Sequence, residues 1–115
     1  MAISDEFIEY VLDQFSKWSG VSVRKMFGGA GLYRDQVIFG LIADDAAYLK
    51  VDDSNREDFE KAGSSIFRPY PEKNTNAVMP YYEIPVDLLE NPDQLIEWSK
   101  KSLAIASKSK RKKKK

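Results

Sequence analysis

The chain reads as an α+β domain: an antiparallel sheet of five to six strands with flanking helices, in the order helix, three to four strands, helix, two strands, helix. Three observations carry this. Amphipathic helical stretches stand near both ends. Short alternating or wholly apolar runs separated by polar breaks fill the middle, as in a meander. The cluster Gly28-Gly29-Ala30-Gly31 lies between strand-like residues, Met26-Phe27 before it and Leu32-Tyr33 after it.

The first helix is defined by Ser4 as N-cap, Asp5 and Glu6 in the first turn, and Phe7, Ile8, Val11, Leu12, Phe15 and Trp18 at helical spacing. Ser19-Gly20 should end it. Residues 21–27 alternate as a strand entering the glycine cluster, and Leu32-Tyr33-Arg34 leaves it as a second. After the polar break Asp35-Gln36, the run Val37-Ile38-Phe39-Gly40-Leu41-Ile42 is apolar on both faces, which suggests an interior strand. Asp44-Asp45 makes the next turn. In residues 46–51, Ala47, Leu49 and Val51 should face the core while Tyr48 and Lys50 face outward.

Asp52 and Asp53 would cap a short helix running to about Ala62, with Phe59 and Ala62 as its core contacts and Gly63 as its stop. Residues 66–70 read as a strand, with Pro69 and the loop 71–76 indicating an edge or an early end. Residues 77–84 form the last strand, where Pro80 asks for an edge position or a bulge. Pro85 to Glu90 fits a helical turn. Asn91-Pro92-Asp93-Gln94 then opens the final helix with N-cap, first-turn proline, acidic residue and reciprocal glutamine in order. Leu95, Ile96, Trp98, Ser99, Leu103 and Ala106 give that helix its apolar or small face, and it should fray near Ser107. The expected organisation is one domain over residues 1–106 and a disordered basic tail over 107–115.

A chain of 115 residues, 43% of them hydrophobic, can bury a core without disulfide or metal staples. It contains no cysteine and no histidine. Thiol catalysis, imidazole-activated nucleophiles and thiolate or imidazole zinc sites are therefore excluded. Neither a membrane span nor a signal peptide is legible, so the expected location is the cytoplasm, with no membrane partner. Net charge is zero, but Lys108, Lys110, Arg111, Lys112, Lys113, Lys114 and Lys115 supply seven of the 18 basic residues. The remaining 11 stand against 18 acidic residues, leaving a body of charge minus 7. An acidic body repels phosphates, whereas the tail could contact nucleic acid or another polyanion without reading sequence, or simply solubilise the chain.

The glycine cluster lacks the Lys-Ser/Thr ending of a phosphate loop and is followed by a strand where a dinucleotide fingerprint needs a helix. It reads as a steric feature of the meander, Phe27, Gly28, Gly29, Gly31 and Tyr33 being its structural motif. The pairs Asp44-Asp45 and Asp52-Asp53 are explained by turn and cap duties, without the glycine and glutamate pattern of a calcium loop. No cofactor, metal or catalytic residue is assigned. Aromatic side chains along the sheet, among them Tyr33, Tyr48, Phe67, Tyr70, Tyr81 and Tyr82 with Met79, offer a contact face for a protein partner. The candidate partner surface is Arg24, Lys25, Tyr48, Tyr70, Met79 and Tyr81.

The ordered set formed by residues 24–33, then 39–45, Tyr48-Leu49-Lys50-Val51, the helix from Phe59 to Ala62-Gly63, residues 79–85 and Asn91 to Trp98 resembles the N-terminal domain of the TfoX/Sxy family over nearly the whole chain. The resemblance implies a secretion-chaperone-like α+β fold and a non-enzymatic regulator of competence genes. Full-length regulators of that family carry a separate C-terminal domain similar to a helix-hairpin-helix module, where this sequence has lysines. The expected partner is protein, either transcription machinery or a second copy in a homodimer. Two alternatives stand beside this reading. One is a small-ligand or nucleotide-binding enzyme using the Gly28 to Gly31 loop with Arg24, Lys25 and Tyr33. The other is a chaperone-like protein-binding dimer with no DNA role.

Overall fold

The computed structural model describes residues 4–26, 29–43, 46–67 and 79–113, apart from the side chains of Met26 and of residues 109–113. Phe27, Gly28, Asp44, Asp45, Pro69, Tyr70, the loop 71–76, Lys114 and Lys115 thus lie outside the described residues, as do the side chains of Lys110, Arg111, Lys112 and Lys113. Among the described residues the elements are α1 (Asp5–Gln14), β1 (Val21–Met26), β2 (Gly29–Arg34), β3 (Val37–Ala43), β4 (Ala46–Lys50), α2 (Arg56–Lys61), β5 (Ile66–Phe67), β6 (Met79–Glu83), α3 (Val86–Leu89) and α4 (Pro92–Lys113). The strands form one antiparallel sheet in the order β1-β2-β3-β4-β6-β5. The expected α+β class and its element order are what the chain adopts.

One core holds the layers together. Ile8, Val11, Phe15 and Trp18 from the α1 region, Phe59 from α2, Leu88 and Leu89 from α3, and Leu95 and Ile96 from α4 join Leu32, Phe39, Ile42, Ala47, Leu49 and Tyr82 of the strands in a single cluster. All four helices therefore cover the same sheet face. Because strand side chains alternate, Arg24, Tyr33, Leu41, Tyr48, Lys50 and Tyr81 fall on the other face. The inward set Ala47, Leu49 and Val51 is buried as the alternation predicts.

Local signals hold at both helix starts. The Ser4 hydroxyl accepts from the Phe7 N–H at 3.1 Å, and the Asn91 side-chain oxygen accepts from the Gln94 N–H at 3.3 Å. Helix α1 ends earlier than expected. Its last residue is Gln14, and Phe15 to Trp18 continue in tighter turns, with the Trp18 N–H donating to the Phe15 carbonyl at 2.9 Å. A three-residue repeat aligns the two aromatic side chains, so both pack on Phe39, with ring centroids 5.6 and 5.5 Å away. Phe39 is the extra residue of a bulge, since Leu32 opposes Gly40 while Tyr33 opposes Ile38.

The start of α2 also differs. Asp52 does not cap it: the Asp52 carboxylate accepts from the Ser54 N–H at 2.7 Å, and Asn55 stands at the N-cap position. Asn55 closes the preceding turn by accepting from the Asp52 N–H at 2.9 Å. Phe59 is buried as expected, but Ala62 is exposed, because the helix ends at Lys61 and turns Ala62 away from the core. Pro80 meets the bulge its missing N–H requires: Ile66 opposes Tyr82 while Phe67 opposes Met79, so the ladder shifts register beside it. Helical backbone in α4 passes Ser107 and continues to Lys113. Once a helix is nucleated each further residue adds one hydrogen bond, and lysines near its C-terminus suit the dipole.

Candidate partner surface

The face of the sheet opposite the helices carries side chains from all six strands. On β1 and β2, the Arg24 guanidinium lies over the Tyr33 ring, 4.8 Å from its centroid. On β4 and β6, the Lys50 ammonium lies over the Tyr81 ring at 5.5 Å. Across β6, Tyr48 of β4 packs edge-on against Phe67 of β5, with centroids 4.9 Å apart. Each cation gains from the negative ring face while its charge stays available to a third group.

Exposure sorts these residues. Met79 is 39% exposed and Arg24 is exposed, whereas Tyr81 is only 4% exposed and so supports the face from below. Burial pushes the Tyr81 phenol above its ordinary pKa, and neighbouring Tyr33 adds to the rise. Tyr82, one residue on, turns to the helix side, where it packs against Phe59 and its hydroxyl donates to Glu60 at 3.1 Å. Burial first, then that carboxylate, raise its pKa as well.

Of the surface read from the sequence, Arg24, Tyr48, Met79 and Tyr81 share this face. Lys25 does not. Adjacent strand residues point to opposite faces, and Lys25 turns toward α1 to pair with Asp5 at 2.9 Å. Arg24, Lys25 and Tyr33 therefore do not converge on one ligand.

The glycines have a steric role. Gly29 and Gly31 lie within β2, a strand paired on both sides, so the ladders occupy the backbone there instead of leaving a cradle. A Cβ on Gly29 would stand 2.7 Å from the Ile42 carbonyl oxygen. The cluster is thus partly strand, where the sequence suggested a connection. Gly40 of β3 is as constrained, a Cβ there falling 2.5 Å from the Tyr48 carbonyl oxygen.

Of the acidic pairs, Asp52 holds Ser54 and Asp53 holds Arg56 at 2.6 Å. The Ser54 hydroxyl and N–H keep the Asp52 carboxyl below its ordinary pKa. Among the described residues no group of three or more metal-ligating carboxylates is brought together. Nor is any helix there long and apolar enough to cross a membrane.

Two polar residues outside the sequence reading organise the end of β4. The buried Asn55 amide donates to the Lys50 carbonyl at 3.2 Å, and the buried Ser102 hydroxyl donates to the same oxygen at 2.8 Å. Helical spacing from Leu95 and Ser99 would have found Ser102; nothing local marks Asn55, whose partner comes from the preceding strand.

Fold and surface together define a single-sheet α+β domain whose charged and aromatic groups are spread over a sheet face. Residues 13–106 match the TfoX N-terminal domain, and the chain belongs to that family. It is also 37% identical over 71 residues to an uncharacterized 12.7 kDa protein in the trpE 5' region of Spirochaeta aurantia. That match covers 62% of this chain and 60% of the relative's length.

Proposed function

We propose that the chain is a non-enzymatic regulatory or adaptor domain of the competence-related kind, acting in the cytoplasm through protein contacts. The observation that carries the surface is the pair of cation-topped tyrosines, Arg24 on Tyr33 and Lys50 on Tyr81, on the sheet face away from the helices. Two cations on an otherwise acidic body select a partner with carboxylates, and Met79 adds an apolar contact. Component proteins of the transcription machinery are the proposed partners, with the basic residues from Lys108 onward supplying nonspecific attraction to nearby nucleic acid.

The test is a tagged pull-down from native lysate, with and without nuclease, comparing wild type with Arg24→Glu/Lys50→Glu. Recovery of RNA polymerase or a transcription factor that survives nuclease and is lost in the variant supports the reading. Recovery of polyanions alone, or a partner indifferent to both substitutions, overturns it. The nucleotide-enzyme alternative is not favoured, because Lys25 faces away from Arg24 and Tyr33. A chaperone-like role would use the same face and differ in what the pull-down recovers.

A further inference from the structure

Strand β1 ends the sheet, and among the described residues it pairs with β2 alone, from Val21 opposite Arg34 to Met26 opposite Gly29 without a register shift. Alternate N–H and C=O groups on its outer side therefore point out of the sheet, a template for one more strand. The two edges are unlike. Among the described residues, strand β5 has two residues and meets β6 across a bulge, whereas β1 has six residues and no proline.

Beside that edge, α1 and β1 enclose a groove. Asp5, Ile8, Glu9 and Leu12 form the wall at helical spacing, and Val21, Val23 and Lys25 lie along the floor. The wall is apolar at Ile8 and Leu12 and anionic at Asp5 and Glu9. Its complement is an extended strand presenting two apolar residues and then a cation on alternate positions. Strand β1 is itself such a strand: Val21, Val23 and Lys25 all face the helix side.

We propose that a second copy of this chain adds its β1 antiparallel to this edge, joining two sheets about a two-fold axis through Val23. The register follows from pleat and charge. Two copies keep their helices on one side of a shared sheet only if the axis passes through a residue. An axis through Arg24 or Lys25 would set each cation against itself. One through Ser22 would leave half of β1, Arg24 to Met26, unpaired. Through Val23, Val23 opposes Val23, Ser22 opposes the partner's Arg24, and Val21 opposes the partner's Lys25, which enters the groove that Glu9 overlooks. This pairing stands independently of which partner the sheet face serves.

The chain has no cysteine, so single-cysteine variants report the register directly. Residues opposed in an antiparallel ladder lie within disulfide range. Under mild oxidation, full-length Val23→Cys should form covalent dimer several-fold faster than Ser22→Cys or Arg24→Cys. Sedimentation of the wild type should show a concentration-dependent dimer, tightened several-fold by Ser22→Glu facing the partner's Arg24 and weakened by Ser22→Lys. Ser22 is exposed, so that pair carries the test even if Val23→Cys fails to fold. The proposal is overturned by a chain that stays monomeric at every concentration, by fastest cross-linking at Arg24→Cys, or by a monomer whose β1 edge takes only a peptide of other sequence.

Discussion

Two serines one turn apart on α4 face the core with opposite consequences. The Ser102 hydroxyl donates to the Lys50 carbonyl, while the Ser99 hydroxyl is buried with no hydrogen-bond partner among the described residues. A buried hydroxyl without a partner keeps its desolvation penalty, so Ser99→Ala should raise unfolding free energy, by about 1 kcal/mol. Ser102→Ala should lower it by about 1 kcal/mol, and urea titration of both variants checks the difference in sign. Tyr82 adds a pH dependence. Its phenol is held above the ordinary value of about 10, so the unfolded chain loses that proton first. Its contribution is complete below about pH 10 and disappears as pH rises through the folded-state pKa. Tyr82→Phe should therefore cost about 1 kcal/mol near neutrality through the lost bond to Glu60 and flatten the alkaline decline, measured by melting against pH.

Within the elements, the turns and the close strand crossings set the sensitivities. The β2–β3 hairpin turns through Asp35 and Gln36 at φ of 53° and 67°, left-handed values that favour glycine. Gln36→Gly should stabilise the hairpin by about 1 kcal/mol. Gly29→Val and Gly40→Ala should each do the reverse, by about 1–3 kcal/mol, because a Cβ at either site meets a carbonyl oxygen of the next strand. Calorimetric melting of the three variants separates these signs. What was legible in the sequence at this scale was local: the Ser4 and Asn91 caps, the alternation of Ala47, Leu49 and Val51, and the bulge required by Pro80. What was not legible depended on residues far apart in sequence. The end of α1 is set by Phe39, whose own inward turn comes from a register shift against β2. Arg24 and Lys25 looked like one basic site, and only the placement of α1 against β1 shows where Lys25 finds its partner.

At the scale of the whole molecule, the fold separates two kinds of surface: one sheet face buried under four helices, the other set with Arg24, Lys50 and aromatic rings. Charge is segregated too, with the basic residues gathered toward the end of α4 and beyond. Removing residues 107–115 should leave the melting temperature nearly unchanged, since the core cluster ends earlier, yet abolish retention on immobilised DNA at low salt. Unchanged retention would remove the role assigned to those lysines. The seating of α4 on β3 and β4 also governs how this domain comes into being. Those two strands can pair as soon as residues 37–50 exist, with Phe15 and Trp18 already available to Phe39, but the part of their inner face that α4 covers stays open until residues 92–106 have followed. During synthesis that part of the sheet therefore faces water until the late segment arrives, and α4 ends the interval in which the nascent chain exposes an apolar sheet surface.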